Sequence, residues 1–133
     1  MNRTRLRELL MQCIFQMDMQ KDKTFELVNK LIDEKNLSKK NEKYLVENYM
    51  NLLDNMDRID EKIDKFALTY KVDRMEKVSL AILRVAVYEM FYVDDVPVAV
   101  AINEAVEMAK KFGSAECKNF VNGILGNISR EGR

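Results

Sequence analysis

The chain has 133 residues, 47% hydrophobic and 33% charged, and its 22 basic and 22 acidic side chains balance to a formal net charge of zero. That length suits one domain with a single substantial core and is expected to leave no room for a second, catalytic domain. The neutral balance excludes binding of nucleic acid or membrane by bulk charge, so any such contact needs a local patch.

One proline and four glycines argue against a many-turned β architecture, and an all-α fold is predicted. Leu6, Leu9, Leu10, Cys13, Ile14 and Met17 recur at three- and four-residue intervals, which predicts a first helix over about residues 4–19. Cys13 lies in that stripe and reads as a buried, inert thiol. A second helix over about residues 24–34 turns Phe25, Val28, Leu31 and Ile32 inward, with Thr24 as its cap. Ser38 caps a third, which carries Tyr44, Leu45, Asn48, Leu52 and Leu53. The charged run 54–64 opens a fourth with Ile59, Ile63, Phe66 and Ala67, and a break near residues 70–73 divides the chain.

Asp73 is placed as the cap of a fifth helix, which is apolar nearly all the way round from Val78 through Leu83 to Val93 and so belongs in the middle of the fold. Pro97 opens helix six, where its missing N–H costs nothing. Gly113 ends it, as a left-handed cap, and Ser114 caps helix seven. No repeat or low-complexity linker interrupts the chain. One domain over residues 1–133 is predicted, a compact bundle of about seven helices with helical halves at about 1–70 and 71–133.

There is no histidine, so a Ser-His-Asp site is excluded and the usual nitrogen ligand for zinc is missing. The glycines fall in no dinucleotide or phosphate-loop spacing, and the acid clusters at Asp94-Asp95 and across Asp57, Asp60, Glu61 and Asp64 read as solvated charge. No catalytic residue, metal or cofactor is expected. Cys13 and Cys117 form neither a disulfide framework nor a metal pair, which suits a reducing cytoplasm. Glu8, Gln12 and Asp18 interrupt any secretion-signal core, and the absence of a long uncharged apolar run predicts a soluble protein with no membrane contact.

The N-terminus is more informative. Arg3, Arg5 and Arg7 alternate with no acid among them at the start of helix one, where positive charge opposes the helix dipole by about 0.3–1 kcal/mol per exposed site. They read either as a solvated basic tail or as a phosphate-binding arm. Phe15 lies outside the main stripe, on one i, i+4 row with Arg7 and Met11. It either packs against helix six or seven or offers a face on which a base can stack. Lys110 and Lys111 suit the end of a helix dipole, with an RNA role optional. Asn103, Asn122 and Gly123 are read as architectural, the amides buried and hydrogen-bonded, and Arg84 and Glu89 as partners in internal networks.

The string from Asp95 to Gly113, DVPVAVAINEAVEMAKKFG, followed by FVNGIL from Phe120 to Leu125, closely resembles the C-terminal half of the NusB family, bacterial transcription antitermination factors. The match runs the length of the chain, dense from Ile82 onward and sparse before about Ile59. The resemblance implies a seven-helix fold of two helical subdomains and a non-enzymatic role. In that role the protein binds boxA-type single-stranded RNA of ribosomal RNA operons with NusE, a small-subunit ribosomal protein, and acts on elongating RNA polymerase with NusA and NusG. It assigns Arg3, Arg5, Arg7 and Phe15 to the RNA surface, the last often tyrosine in the family. It adds Lys118, Asn119 and Phe120 to that surface, with Glu116 restraining binding. The partner surface would lie at the start of helix five, where Ser79 replaces a common acid and Glu76 offers a nearby charge. Two other readings stand beside it. One is a structural helical protein that self-associates as a homodimer. The other is the RNA-binding appendage of a ribosomal RNA methyltransferase, less favoured because no nucleotide-binding segment follows.

Overall fold

The computed structural model describes residues 1–131, so the last two positions of the predicted domain, 132 and 133, lie outside the described residues. Seven α-helices follow one another: α1 (Arg3–Gln20), α2 (Glu26–Glu34), α3 (Lys39–Asp54), α4 (Met56–Phe66), α5 (Lys77–Tyr92), α6 (Val98–Phe112) and α7 (Ala115–Glu131). A 3-10 turn over Val72–Arg74 lies in the connection between α4 and α5, and no strand occurs among the described residues.

α5 is the axis of the molecule. Every residue from Ser79 to Met90 is buried, and α1, α3, α4, α6 and α7 all pack against it. The apolar residues of both halves form one continuous core, in which Leu9, Ile14, Leu45, Leu52, Ile59, Ile63, Ile82 and Leu125 are wholly enclosed. Two charges on this central helix are paired with neighbours. Arg84 makes two bonds to Asp60 of α4, at 2.9 and 2.8 Å, and Glu89 receives Arg7 of α1, as the reading of internal networks expected. Cys13 is buried too, and burial pushes its thiol up to about 12, so it is inert at neutral pH.

The helix ends correct several expectations. Asp73 falls in the 3-10 turn, and Glu76 caps α5 instead, its carboxylate accepting the N–H groups of Val78 and Ser79. Asp73 precedes the first helical turn by too many residues to reach those donors. α2 begins after Phe25, which makes no side-chain cap, while the Thr24 hydroxyl accepts the Glu26 N–H at 3.4 Å. Ser38 caps α3 as expected, accepting the Asn41 N–H at 3.2 Å. Asn103, Asn122 and Gly123 are exposed rather than buried, because α6 and α7 bury only one face each and these residues lie on the outer one. A Cβ on Gly123 would meet nothing within 4 Å.

Gly113 is not left-handed; its φ of −102° and ψ of 179° are extended. Left-handed backbone appears instead at Lys21 after α1 and at Asn36 after α2. Gly113 is required for space. A Cβ there would lie 2.5 Å from Cys117 Sγ and 2.9 Å from the Ala109 carbonyl oxygen, closer than real contacts allow. The tight α6–α7 corner therefore depends on a missing side chain. Gly113→Ala is expected to destabilise the fold by about 1–3 kcal/mol, read as a lowered urea midpoint with unchanged slope.

Candidate nucleic-acid interface

α1 lies antiparallel to α5, with Arg7 beside Glu89 near one end, and Asp18 beside Arg84 and Lys77 near the other. This pinning determines what the three alternating arginines can do. Arg3 is exposed, its guanidinium 4.3 Å from the centre of the Tyr44 ring on α3. Arg5 is partly exposed and its Nη1 donates to Glu8 Oε1 at 2.8 Å. Arg7 points inward at 5% exposure, and its Nε lies 2.9 Å from both carboxylate oxygens of Glu89, with Glu104 at 3.4 Å from Nη1. Alternate residues on a helix are 200° apart, so three arginines at i, i+2 and i+4 cannot all share one surface. Arg3 and Arg7 share one side of α1 and Arg5 the other; the fold buries Arg7 and leaves Arg3 and Arg5 outward on different sides of the first turns.

Glu8 is buried where α1 meets α6 and receives Lys111 Nζ at 3.0 and 3.1 Å as well as Arg5. Burial raises its pKa, but the hydrogen bonds from Lys111 and Arg5 more than offset this and hold the carboxyl below its ordinary value. Arg5, Glu8 and Lys111 form a charged chain from the N-terminus to the last turn of α6. It borders a cleft of about 640 Å³ whose walls include Thr4, Asn103, Glu104 and Lys110. Lys111, explained adequately by the helix dipole, is here also the link between α1 and the α6–α7 corner. Only the fold could show that Glu8 stands opposite it.

At that corner Lys118 and Asn119 are exposed on α7, and on α1 Phe15 is half-buried against the core. Phe15 stands ten residues after Arg5, about 15 Å along the helix axis. Glu116 and Phe120 meet Glu76 and Ser79 around a cavity of about 300 Å³, with Tyr70 and Cys117 on its wall. Ser79 is buried, its hydroxyl donating to Glu76 Oε1 at 2.8 Å and lying 3.0 Å from Cys117 Sγ. The residues expected to contact a partner and those expected to restrain RNA therefore share one site. Tyr70, an exposed aromatic beside the break between the halves, belongs to it without having been singled out in the sequence.

Among the described residues, no group of three or more His, Cys, Asp or Glu side chains is arranged to hold a metal ion, and no helix is long and apolar enough to cross a membrane. The fold and its surfaces define an all-helical protein built around one buried helix, with a basic helix start on one side and a carboxylate-rimmed cavity on the other. Residues 4–130 match the NusB family, and the chain belongs to it. It is 41% identical to the transcription antitermination protein NusB of Acetivibrio thermocellus, covering 96% of this chain and 88% of the relative. Among solved structures it superposes on T. maritima NusB with a TM-score of 0.91 at 29% identity, over 99% of this chain and 93% of the other. It has the same fold as a chain in a complex of antitermination factors NusB and NusE with double-stranded RNA, with a TM-score of 0.86 at 24% identity, over 98% and 99% of the two chains.

The buried pair makes Arg7→Ala costly, since it leaves Glu89 enclosed without its counter-ion. A loss of about 3–5 kcal/mol is expected by urea denaturation, and combining Arg7→Met with Glu89→Leu is expected to recover most of it. Glu8 sets a pH dependence. Its folded pKa lies below the unfolded 4.5, so its stabilisation is complete above that value and is lost as pH falls through the folded pKa. Glu8→Gln is therefore expected to lower the urea midpoint at pH 7, with the difference from the parent shrinking as the pH falls below the folded pKa.

Proposed function

We propose that this protein is a non-enzymatic RNA-binding adaptor of transcription antitermination in the cytoplasm. It holds boxA-type single-stranded RNA of ribosomal RNA operons together with NusE, and presents it to elongating RNA polymerase in company with NusA and NusG. Arg3 and Arg5 contact phosphate, Phe15 supplies a stacking face, and Lys118 and Asn119 extend the surface onto α7. Phe120 and Glu116 border the RNA path, and the Glu116 carboxylate opposes phosphate and so limits affinity. Glu76 offers its charge to NusE above the buried Ser79. Arg7 acts through position alone, by anchoring the helix that displays Arg3 and Arg5.

The observation that carries this reading is the chain from Arg5 through Glu8 to Lys111, which joins the basic start of α1 to the α6–α7 corner. The names of the relatives support it, and the solved complex of antitermination factors NusB and NusE with double-stranded RNA supports NusE and RNA as partners.

The test is binding of labelled boxA RNA and a scrambled control at several salt concentrations, with and without NusE, by the parent and by Arg3/Arg5→Ala. Arg7 is left in place because its loss would act through folding. Preference for boxA, strengthened by NusE, is expected, and the variant should lower the logarithmic salt slope by about 1.4, two phosphate contacts on a single strand. No preference for boxA even with NusE would overturn the reading. Salt-independent self-association would then favour the structural alternative.

A further inference from the structure

A second group of cations gathers where the turn between α2 and α3 meets the start of α1. An open cleft of about 630 Å³ is walled there by Met1, Arg5, Lys35, Asn36, Ser38 and Asn41. Asn36 has a φ of 48°, a left-handed turn that asparagine tolerates, and Lys35 and Ser38 on either side of it both line the cleft. Lys35 and the adjoining Lys39 and Lys40 are exposed, and none of their side-chain ammonium groups forms an ion pair or hydrogen bond among the described residues. Of the acids nearby, Glu34 and Glu47 face lysines of their own at 3.9 Å, which leaves Asp33 and Glu42 against Arg3, Lys35, Lys39 and Lys40.

The placement runs against folding stability. Lys39 and Lys40 occupy the first turn of the sixteen-residue α3, where Glu42 is the one acid, and α1 has no acid in its first turn. Two helix N-termini with positive dipole ends are thus brought together and loaded with further positive charge, which helix stability disfavours and an anion would relieve. The walls are polar and cationic, with amide donors on Asn36 and Asn41. Of the apolar residues on the wall, Leu37 is partly buried against the protein's own core and Met1 is an exposed terminal side chain, so the cleft has no aromatic anchor of the kind on which protein interfaces concentrate their affinity. Arg5 belongs both to this cleft and to the chain leading to Lys111, so the two basic surfaces are continuous.

We propose that the α2–α3 corner is a second phosphate-binding track, which carries the RNA backbone onward from Arg3 and Arg5 over Lys35, Lys39 and Lys40. It rests on the RNA-binding reading above and extends it, since it assigns contacts to nucleotides flanking the core element and reads no sequence in them.

The test uses the full chain and Lys35/Lys39/Lys40→Gln, which removes charge from exposed positions while keeping good helix formers. Each is titrated with a short boxA RNA and with the same RNA bearing unstructured uridine flanks at both ends, over a range of salt. The variant should bind the short RNA as the parent does. With the flanked RNA it should lose about 2 from the salt slope and bind about a hundredfold more weakly near 0.1 M salt, as for three lost phosphate contacts. Equal slopes and affinities of the two proteins for the flanked RNA, with the short RNA still bound, would overturn the track and leave the adaptor reading standing. A variant that keeps flanked-RNA binding but loses a protein partner of the assembly would also overturn it. Failure of the parent to bind either RNA, with NusE present, would overturn both.

Discussion

A helix that is apolar on every side cannot lie at a surface, and α5 imposes that constraint on the rest of the chain. Its run from Ser79 to Met90 is buried without a gap, so five other helices must surround it. The two charged residues in this run make the surrounding specific. Arg84 requires Asp60 of α4 and stands 3.5 Å from Asp18 of α1, and Glu89 requires Arg7 of α1. Buried ion pairs contribute little net stability, but an arrangement that separates them is strongly penalised. α1 and α4 are thereby held to one rotation and one register about the central helix.

That register governs what reaches the surface. Because α1 is tied to α5 near both ends, its first turn is displayed in a defined orientation. A chain already ordered loses less freedom when it meets a ligand than a flexible tail would. The cost is the diversion of Arg7, which supports the display instead of joining it.

Although the formal charge is zero, its distribution is polar. Cations gather at the starts of α1 and α3, with Arg3 over the Tyr44 ring, Arg5 beside Glu8, and Lys39 and Lys40 in solvent, while Glu76 and Glu116 rim the cavity between the starts of α5 and α7. Under the proposed function, phosphate meets the first region and passes Glu116 at the border of the second, where Glu76 faces a basic protein surface. One neutral molecule can then hold two partners of opposite charge side by side.

Helix number and order were legible in the sequence, since each helix has an apolar period and α5 lacks a polar face. The pairing of Arg84 and Glu89 was legible in kind, because an isolated charge in such a helix needs a counter-ion; their partners were not. Gly113 could be seen to matter, but its reason was steric rather than conformational. Asn103 and Asn122 were misplaced because an amide beside apolar residues reads alike on either face of an amphipathic helix. Lys35 shares a cleft with Arg5 only because of the turn at Asn36, and Lys39 and Lys40 follow it on α3. By itself, then, the sequence determined the helices, the central place of α5 and the family, because periodicity and motif are local properties. Which arginine faces solvent, which acid Lys111 meets and which cations share a cleft were decided only by tertiary structure, because each depends on the rotation of one helix against another.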